Sequence, residues 1–288
     1  MNWCYSLLAL AICCVWIPSI PLGRYRLQAW LPPFLVATLA GLVLGILAWT
    51  AVSVLAALTG VAWASRSSAS LPVRRALTIL AALVALALAL HLAPGFQNPK
   101  LLASVQVSPS SAPLTQYLNF DKAAAGLILL AFYVPHTSTI AGVKRILGTT
   151  VIVAAATAIL VVGIAWTVGY VKADIKFPPY AFAFLATNLF FTCIPEEAFF
   201  RGLLQEGLAS KLRAWPSYWR WTPVLVSTVL FGLAHAAGDK TFVALATLAG
   251  LGYSIAYALT RRIESAVLAH FAVNMVQFIG FSYPSLLR

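Results

Sequence analysis

Seven acidic residues are spread over 288 positions, and three of them, Glu196, Glu197 and Glu206, fall in one apolar stretch, FFTCIPEEAFFRGLLQEGLA. A carboxylate in hydrocarbon costs on the order of 3 kcal/mol on insertion scales, so such a group needs a reason to be there. Glu197 and Arg201 stand four apart in the Glu-first order that pairs well on an α-helix, and they can neutralise each other. Glu196 lies about 100° further round the same helix, so its partner must come from elsewhere in the chain. Later apolar runs hold His235, closing VLFGLAH, and His270 with Asn274 one turn on in HFAVN. A buried carboxylate opposite a neutral imidazole can hold and deprotonate a water. A second imidazole beside an amide can donate hydrogen bonds to a developing oxyanion. That combination hydrolyses an amide without a Ser, Cys or Asp triad. Cys193, three residues before Glu196, is a conceivable nucleophile, but nothing in its surroundings marks it as activated.

The elements that must position these groups are membrane spans. The chain is 61% hydrophobic and 9% charged, against about 25% charged in a soluble domain. The net charge of +12 is split into short clusters between apolar runs: Arg24/Arg26, Arg66/Arg74/Arg75, Lys144/Arg145, Lys211/Arg213/Arg220 and Arg261/Arg262. That is the distribution of loop anchors and argues against a nucleic-acid partner. Cys4, Cys13, Cys14 and Cys193 all sit in apolar runs and read as buried thiols, with neither disulfide nor zinc spacing. Residues 2–22 lack a basic leader and a small-residue cleavage site, so a retained anchor is expected.

Apolar runs near 2–22, 31–64, 74–92, 123–140, 147–170, within 178–210, 221–238, 241–260 and 263–281 predict an all-α, polytopic transmembrane bundle of about 8–10 spans. The 31–64 run is one tilted span or a hairpin, and the positive-inside bias favours the hairpin. The chain divides into an N-terminal transmembrane region, 1–120, of unknown role, and a core, 121–288, whose chemistry lies at about 180–280. The polar loop at about 93–120 carries Pro94, Pro99, Pro109 and Pro113 and is expected to be irregular or a partly ordered lid. If the spans alternate, Lys144/Arg145, Lys211/Arg213/Arg220 and Arg261/Arg262 face the cytoplasm. Glu196 and His235 each lie 15 residues from a cytoplasmic charge, roughly 22 Å, with Asn274 at roughly 18 Å and His270 at roughly 12 Å. The groups can therefore meet inside the bilayer. His91 and His136, at span ends, read as structural. Glu206 and Glu264 read as interface charges, and Trp215, Tyr218, Trp219 and Trp221 as an aromatic belt.

Three segments carry a family resemblance: Glu196-Glu197-Ala198-Phe199-Phe200-Arg201, Phe231-Gly232-Leu233-Ala234-His235 and His270-Phe271-Ala272-Val273-Asn274. They resemble the EExxxR, FxxxH and HxxxN motifs of the CPBP family of CAAX prenyl endopeptidases and bacteriocin-processing, Abi-like proteins, in order and in spacing. The resemblance implies a glutamic-type intramembrane endopeptidase. Glu196 would be the general base, with His235 helping to activate water. His270 and Asn274 would form the oxyanion site, Glu197 and Arg201 would hold the geometry, and Phe231 would pack beside it. The expected substrate is a membrane protein, or a lipid-modified or exported one, cut near its C-terminus or in a membrane-spanning tail. The expected setting is a prokaryotic cytoplasmic membrane. No cofactor is expected; zinc is possible but disfavoured, and its ligands would be Glu196, His235 and His270. Two other readings stay open: a transporter or proton relay, since intramembrane Glu and His also line ion paths, and a non-catalytic immunity or scaffold protein of the same fold.

Overall fold

A computed structural model describes residues 3–23, 25–135 and 139–287; Arg24 and His136 lie outside them. The described chain is almost entirely helical. In order it holds α1 (Trp3–Cys14), β1 (Ile20–Leu22), β2 (Tyr25–Leu27), α2 (Leu31–Val43), α3 (Trp49–Ser67), α4 (Leu71–Ala89), β3 (Lys100–Gln106), β4 (Pro113–Tyr117), α5 (Phe120–Tyr133) and α6 (Ile140–Thr167). There follow α7 (Ala181–Asn188), a π-helical stretch Leu189–Cys193, α8 (Ile194–Glu197), a second π stretch Ala198–Gln205 and α9 (Glu206–Leu212). A 3-10 turn Ser217–Trp221 leads into α10 (Thr222–Leu233), α11 (Lys240–Thr260) and α12 (Ile263–Gly280).

Among the described residues, α4, α6, α11 and α12 are long and apolar enough to cross a membrane. The outward faces of these and other helices carry large apolar side chains: Ile152 is 70% exposed and Ile159 is 75% exposed. Water does not tolerate such continuous apolar surface, and the chain is a multi-pass integral membrane protein. The expected eight to ten spans counted apolar runs, several of which the fold cuts short. The 31–64 run is two helices, broken where Gly45 takes a left-handed φ of +68°. The 2–22 run stops as a helix at Cys14, and the chain then turns through the β1–β2 hairpin. The four cysteines are free; Cys4 and Cys193 are buried as expected, but Cys13 is exposed on the surface of α1.

The chain separates into two compact units that interleave along the sequence. One comprises Met1–Pro99, Tyr117–Val134 and Phe190–Phe199. Its centre is α5, which packs on α1, α3, α4 and α8. A helix apolar all round must be covered all round, and Ala123, Ala124, Leu127, Ile128 and Leu130 are fully buried. The other unit comprises Lys100–Gln116, Pro135–Leu189 and Phe200–Arg288. In it α11 packs on α6, α10 and α12, and α12 on α6 and α7.

The polar 93–120 loop is not irregular: strands β3 and β4 pair as a two-stranded sheet. Leu102 and Leu114 sit in a small core with Phe184 and Phe278, whose rings stack 3.9 Å apart. The segment before α7 is pinned by Lys176, whose Nζ donates to the Phe281 carbonyl. Burial pulls the Lys176 ammonium below the usual lysine range, and Asp174 at 3.8 Å works against that.

Candidate functional site

Within the unit that contains α10, α11 and α12, the polar groups gather around the Phe231 ring. The apolar run around His235 predicts a position inside a span. The residue lies instead in the turn just beyond the last residue of α10, where its backbone N–H still bonds to Gly232 O at 3.0 Å. Asp239 then caps α11, its carboxylate accepting from Phe242 N at 2.9 Å. The His235 Nδ1–H donates to the Phe231 carbonyl at 2.8 Å. A carbonyl can only accept, so Nδ1 carries a proton, which leaves Nε2 as the ring nitrogen that can accept. Its ring also lies 4.8 Å from Phe231 and 5.5 Å from Phe242.

His270, on α12, is 4% exposed and stacks on Tyr253 of α11 at 4.5 Å and 13°. Phe231 meets it edge-on at 5.7 Å. Asn274, one turn further, donates from Nδ2 to Oδ1 of Asn188 at 3.1 Å. Arg201 is fully buried and completes the floor: its guanidinium lies 4.5 Å from the Phe231 ring and donates to Gly250 O at 2.8 Å. A side chain could not replace Gly250, because a Cβ there would meet the Phe231 ring at 2.9 Å. His235, His270, Asn274, Phe231 and Tyr253 line one cavity of about 80 Å³. Its walls are otherwise largely apolar, among them Val161, Ala165, Leu245 and Ala246. A cavity holding one water needs roughly 10–15 Å³, so several waters or one substrate side chain fit here.

Glu196 and Glu197 belong to the other unit, on the single turn of α8. Pro195 opens that turn without an N–H to give to the residue four back. On either side the ladder widens to the five-residue π spacing, a distortion frequent at functional sites. Arg201 lies in the second π stretch. Glu197 is fully buried. Glu196 has the partner that its own helix could not supply: Lys122 Nζ donates to Glu196 Oε1 at 2.6 Å, the two side chains 17% and 13% exposed.

Lys122 stands in the first turn of α5, inside a further polar cluster. Asp121, 1% exposed, accepts from the Lys122 backbone N–H at 2.8 Å, from Asn98 Nδ2 at 3.0 Å and from His91 Nδ1 at 2.7 Å. Asn98 Oδ1 accepts from Phe120 N at 3.0 Å. His91 reaches Asp121 from the residue past the C-cap of α4, in the left-handed region at φ 58°, which ends that helix. Its structural role is therefore defined. Glu206 is held by Arg261 at 2.6 Å and by the Tyr257 hydroxyl at 3.0 Å, as an interface charge, and Glu264 sits in the first turn of α12, where the helix dipole favours an acid.

Three polar side chains that touch these groups escape a reading of the motifs alone: Lys122, Asn188 and Tyr253. Asn188 had a signal, an amide in the apolar run AFLATNLFF. Lys122 sits one residue before the run from 123 and reads as a loop charge. Among the described residues, no group of three or more His, Cys, Asp or Glu side chains is placed to hold a metal ion.

Residues 177–276 match the family model described as Rce1-like, type II CAAX prenyl endopeptidase Rce1-like. No curated protein and no solved structure matches the chain. The matched segment begins just before α7 and ends within α12, and it holds the carboxylate turn, both imidazoles, Asn188, Tyr253 and Asn274. Over this segment, about a third of its length, the chain is similar to the Rce1-like, type II CAAX prenyl endopeptidases.

Proposed function

We propose that the chain hydrolyses a peptide bond near the C-terminus, or within the membrane-spanning tail, of a protein substrate that is itself membrane-bound, lipid-modified or exported. Glu196 is the general base and His235 helps to hold and polarise the water through Nε2. The water oxygen bonds to the scissile carbonyl carbon as Glu196 takes its proton, and the carbonyl π pair moves onto oxygen. His270 and Asn274 donate to that oxyanion. The C–N bond then breaks as the proton passes from Glu196 to the departing amine. Arg201 and Phe231 hold the imidazoles, and Glu197 supports the turn that carries the base. Preorganised donors of this kind are each worth about 10²–10³ in rate.

What carries the reading is the cavity in the C-terminal unit, where both imidazoles and an amide line one apolar-walled space inside the family-matching segment. Asn188 fixes the Asn274 amide, and the Phe231 carbonyl fixes the His235 tautomer. At about 80 Å³ the space suits one apolar side chain of an extended peptide better than a whole lipid.

The test works on substrates of any sequence. Membranes from cells expressing the wild type or Glu196→Gln are compared by mass spectrometry of protein termini. A set of new termini formed by the wild type and missing from Glu196→Gln supports the reading. Identical sets of termini in the two would overturn it.

A further inference from the structure

We infer that Lys122 is the positioning residue for the Glu196 carboxylate, and that α5, which lies outside the family match, supplies this part of the catalytic apparatus. The inference rests on the reading of Glu196 as the base and goes beyond it.

Three observations carry it. The first is contact: the ammonium donates to Glu196 Oε1 at 2.6 Å, with both side chains mostly buried. A charged hydrogen bond of that length fixes one carboxylate oxygen in space, and therefore the plane and the second oxygen as well. A base with a rotating carboxylate would meet its water in the right attitude only part of the time, and misplacement of about 1 Å can cost 100-fold in rate.

The second is how Lys122 is itself held. The first turn of α5 is tied down by Asp121, which collects the Lys122 N–H, Asn98 and His91. Asn98 returns a bond to Phe120 N. The lysine backbone is thus anchored from two preceding segments, the residue past the end of α4 and the stretch just before β3. An ordinary interface lysine needs no such cluster beneath it.

The third is a close approach one helical turn further on. A Cβ at Gly126 would lie 2.5 Å from Pro195 Cα and 2.6 Å from Pro195 Cβ. Neither the proline ring nor its backbone can give way, so only glycine lets α5 lie this near to α8. Residues 122 and 126 share a face of α5, as Pro195 and Glu196 share the turn of α8. The glycine sets the distance that the lysine spans.

The experiment uses the full chain, reconstituted in liposomes, with the substrate recovered from the Glu196-dependent termini described above. Lys122→Met should lower kcat by about 100-fold and leave KM within about twofold, because the lysine acts on the base and not on the bound tail. Lys122→Arg, which restores a donor of similar reach, should recover to within about tenfold of wild type. Gly126→Ala, with Lys122 intact, should also lose kcat, by about tenfold. Thermal midpoints in detergent give a readout that needs no turnover. Lys122→Met should drop the midpoint by roughly 5 °C or more, by leaving a carboxylate buried against an apolar chain. The double variant Lys122→Met/Glu196→Gln should lose less than the sum of the single variants. Additive midpoints, or a Lys122→Met protein with wild-type kcat, would sink the inference while leaving the peptidase reading intact. Full turnover by Glu196→Gln would remove the base, and Lys122 would then have nothing to position.

Discussion

The two units bury polarity by opposite means. In the unit built on α5, charge answers charge: the Lys122 ammonium meets the Glu196 carboxylate. In the unit built on α11, the imidazoles are fixed by a ring and by backbone: His235 by the Phe231 carbonyl and His270 by the face of Tyr253. The difference is the one that the proposed roles require. A general base has to keep a negative charge in a medium that penalises charge, so it needs a counter-charge held close. An imidazole that works as a neutral acceptor or donor needs no counter-charge, only one tautomer and one orientation.

That contrast makes substitutions in the two units behave differently. The largest effect is expected at the charged end. Glu196→Gln should cut turnover by about 10³-fold or more, and should also lower the thermal midpoint, because it strands the Lys122 ammonium. His235→Gln should cut turnover by about 10²-fold with a midpoint close to wild type, since no buried charge is left behind. A His235 variant that melted as early as Glu196→Gln would show that the imidazole carries charge after all, and the contrast would fail.

Next come the residues that orient the neutral groups. Asn274→Ala should cost about 10²-fold in kcat, as loss of an oxyanion donor. Asn188→Ala, which only frees the Asn274 amide to turn, should cost about tenfold. Tyr253→Leu removes the stacked face under His270 and should also cost about tenfold, whereas Tyr253→Phe keeps the face and should lose less. Single-turnover cleavage in liposomes separates these steps from product release. If Asn188→Ala matched Asn274→Ala, then Asn188 would itself be contacting the reacting atoms.

How much of this could be read from the residues alone divides along the same line. His235, His270 and Asn274 are legible because polar groups in apolar runs are costly, and because Asn274 falls one helix turn from His270; Phe231, an apolar residue in an apolar run, is marked only by its place in the FxxxH motif. The residues that hold them are less visible. Tyr253 is one aromatic among many in an apolar helix, and nothing local says that its face meets an imidazole. The end of α10 is hidden as well, since VLFGLA stays apolar past the last helical residue and only Asp239 announces the next cap. Lys122 is the least legible, because 74 residues separate it from Glu196 and it borders a polar loop. The prolines of the 93–120 stretch mask the β3–β4 pair, although Leu102 and Leu114 are apolar positions that need cover. Pro195 signals a disturbance in its helix, but not that the ladder widens to π spacing on both sides of the carboxylate turn.

The smallest expected effect tests what neutralises the base. A divalent ion could in principle do for Glu196 what Lys122 does, with histidines as further ligands. The ammonium already lies 2.6 Å from one carboxylate oxygen. A divalent ion within about 4 Å of that ammonium would be repelled by roughly 8 kcal/mol at an effective dielectric of 20. The two cations therefore compete for one carboxylate. With Lys122 in place, exhaustive chelation followed by metal analysis should leave turnover within about twofold of untreated protein. In Lys122→Met the competitor is gone, and added zinc should then bind more tightly than to wild type. Loss of wild-type turnover on chelation, restored by zinc, would transfer the neutralising role from the ammonium to a metal, and the charge-for-charge half of the contrast would then belong to a metal-free form alone.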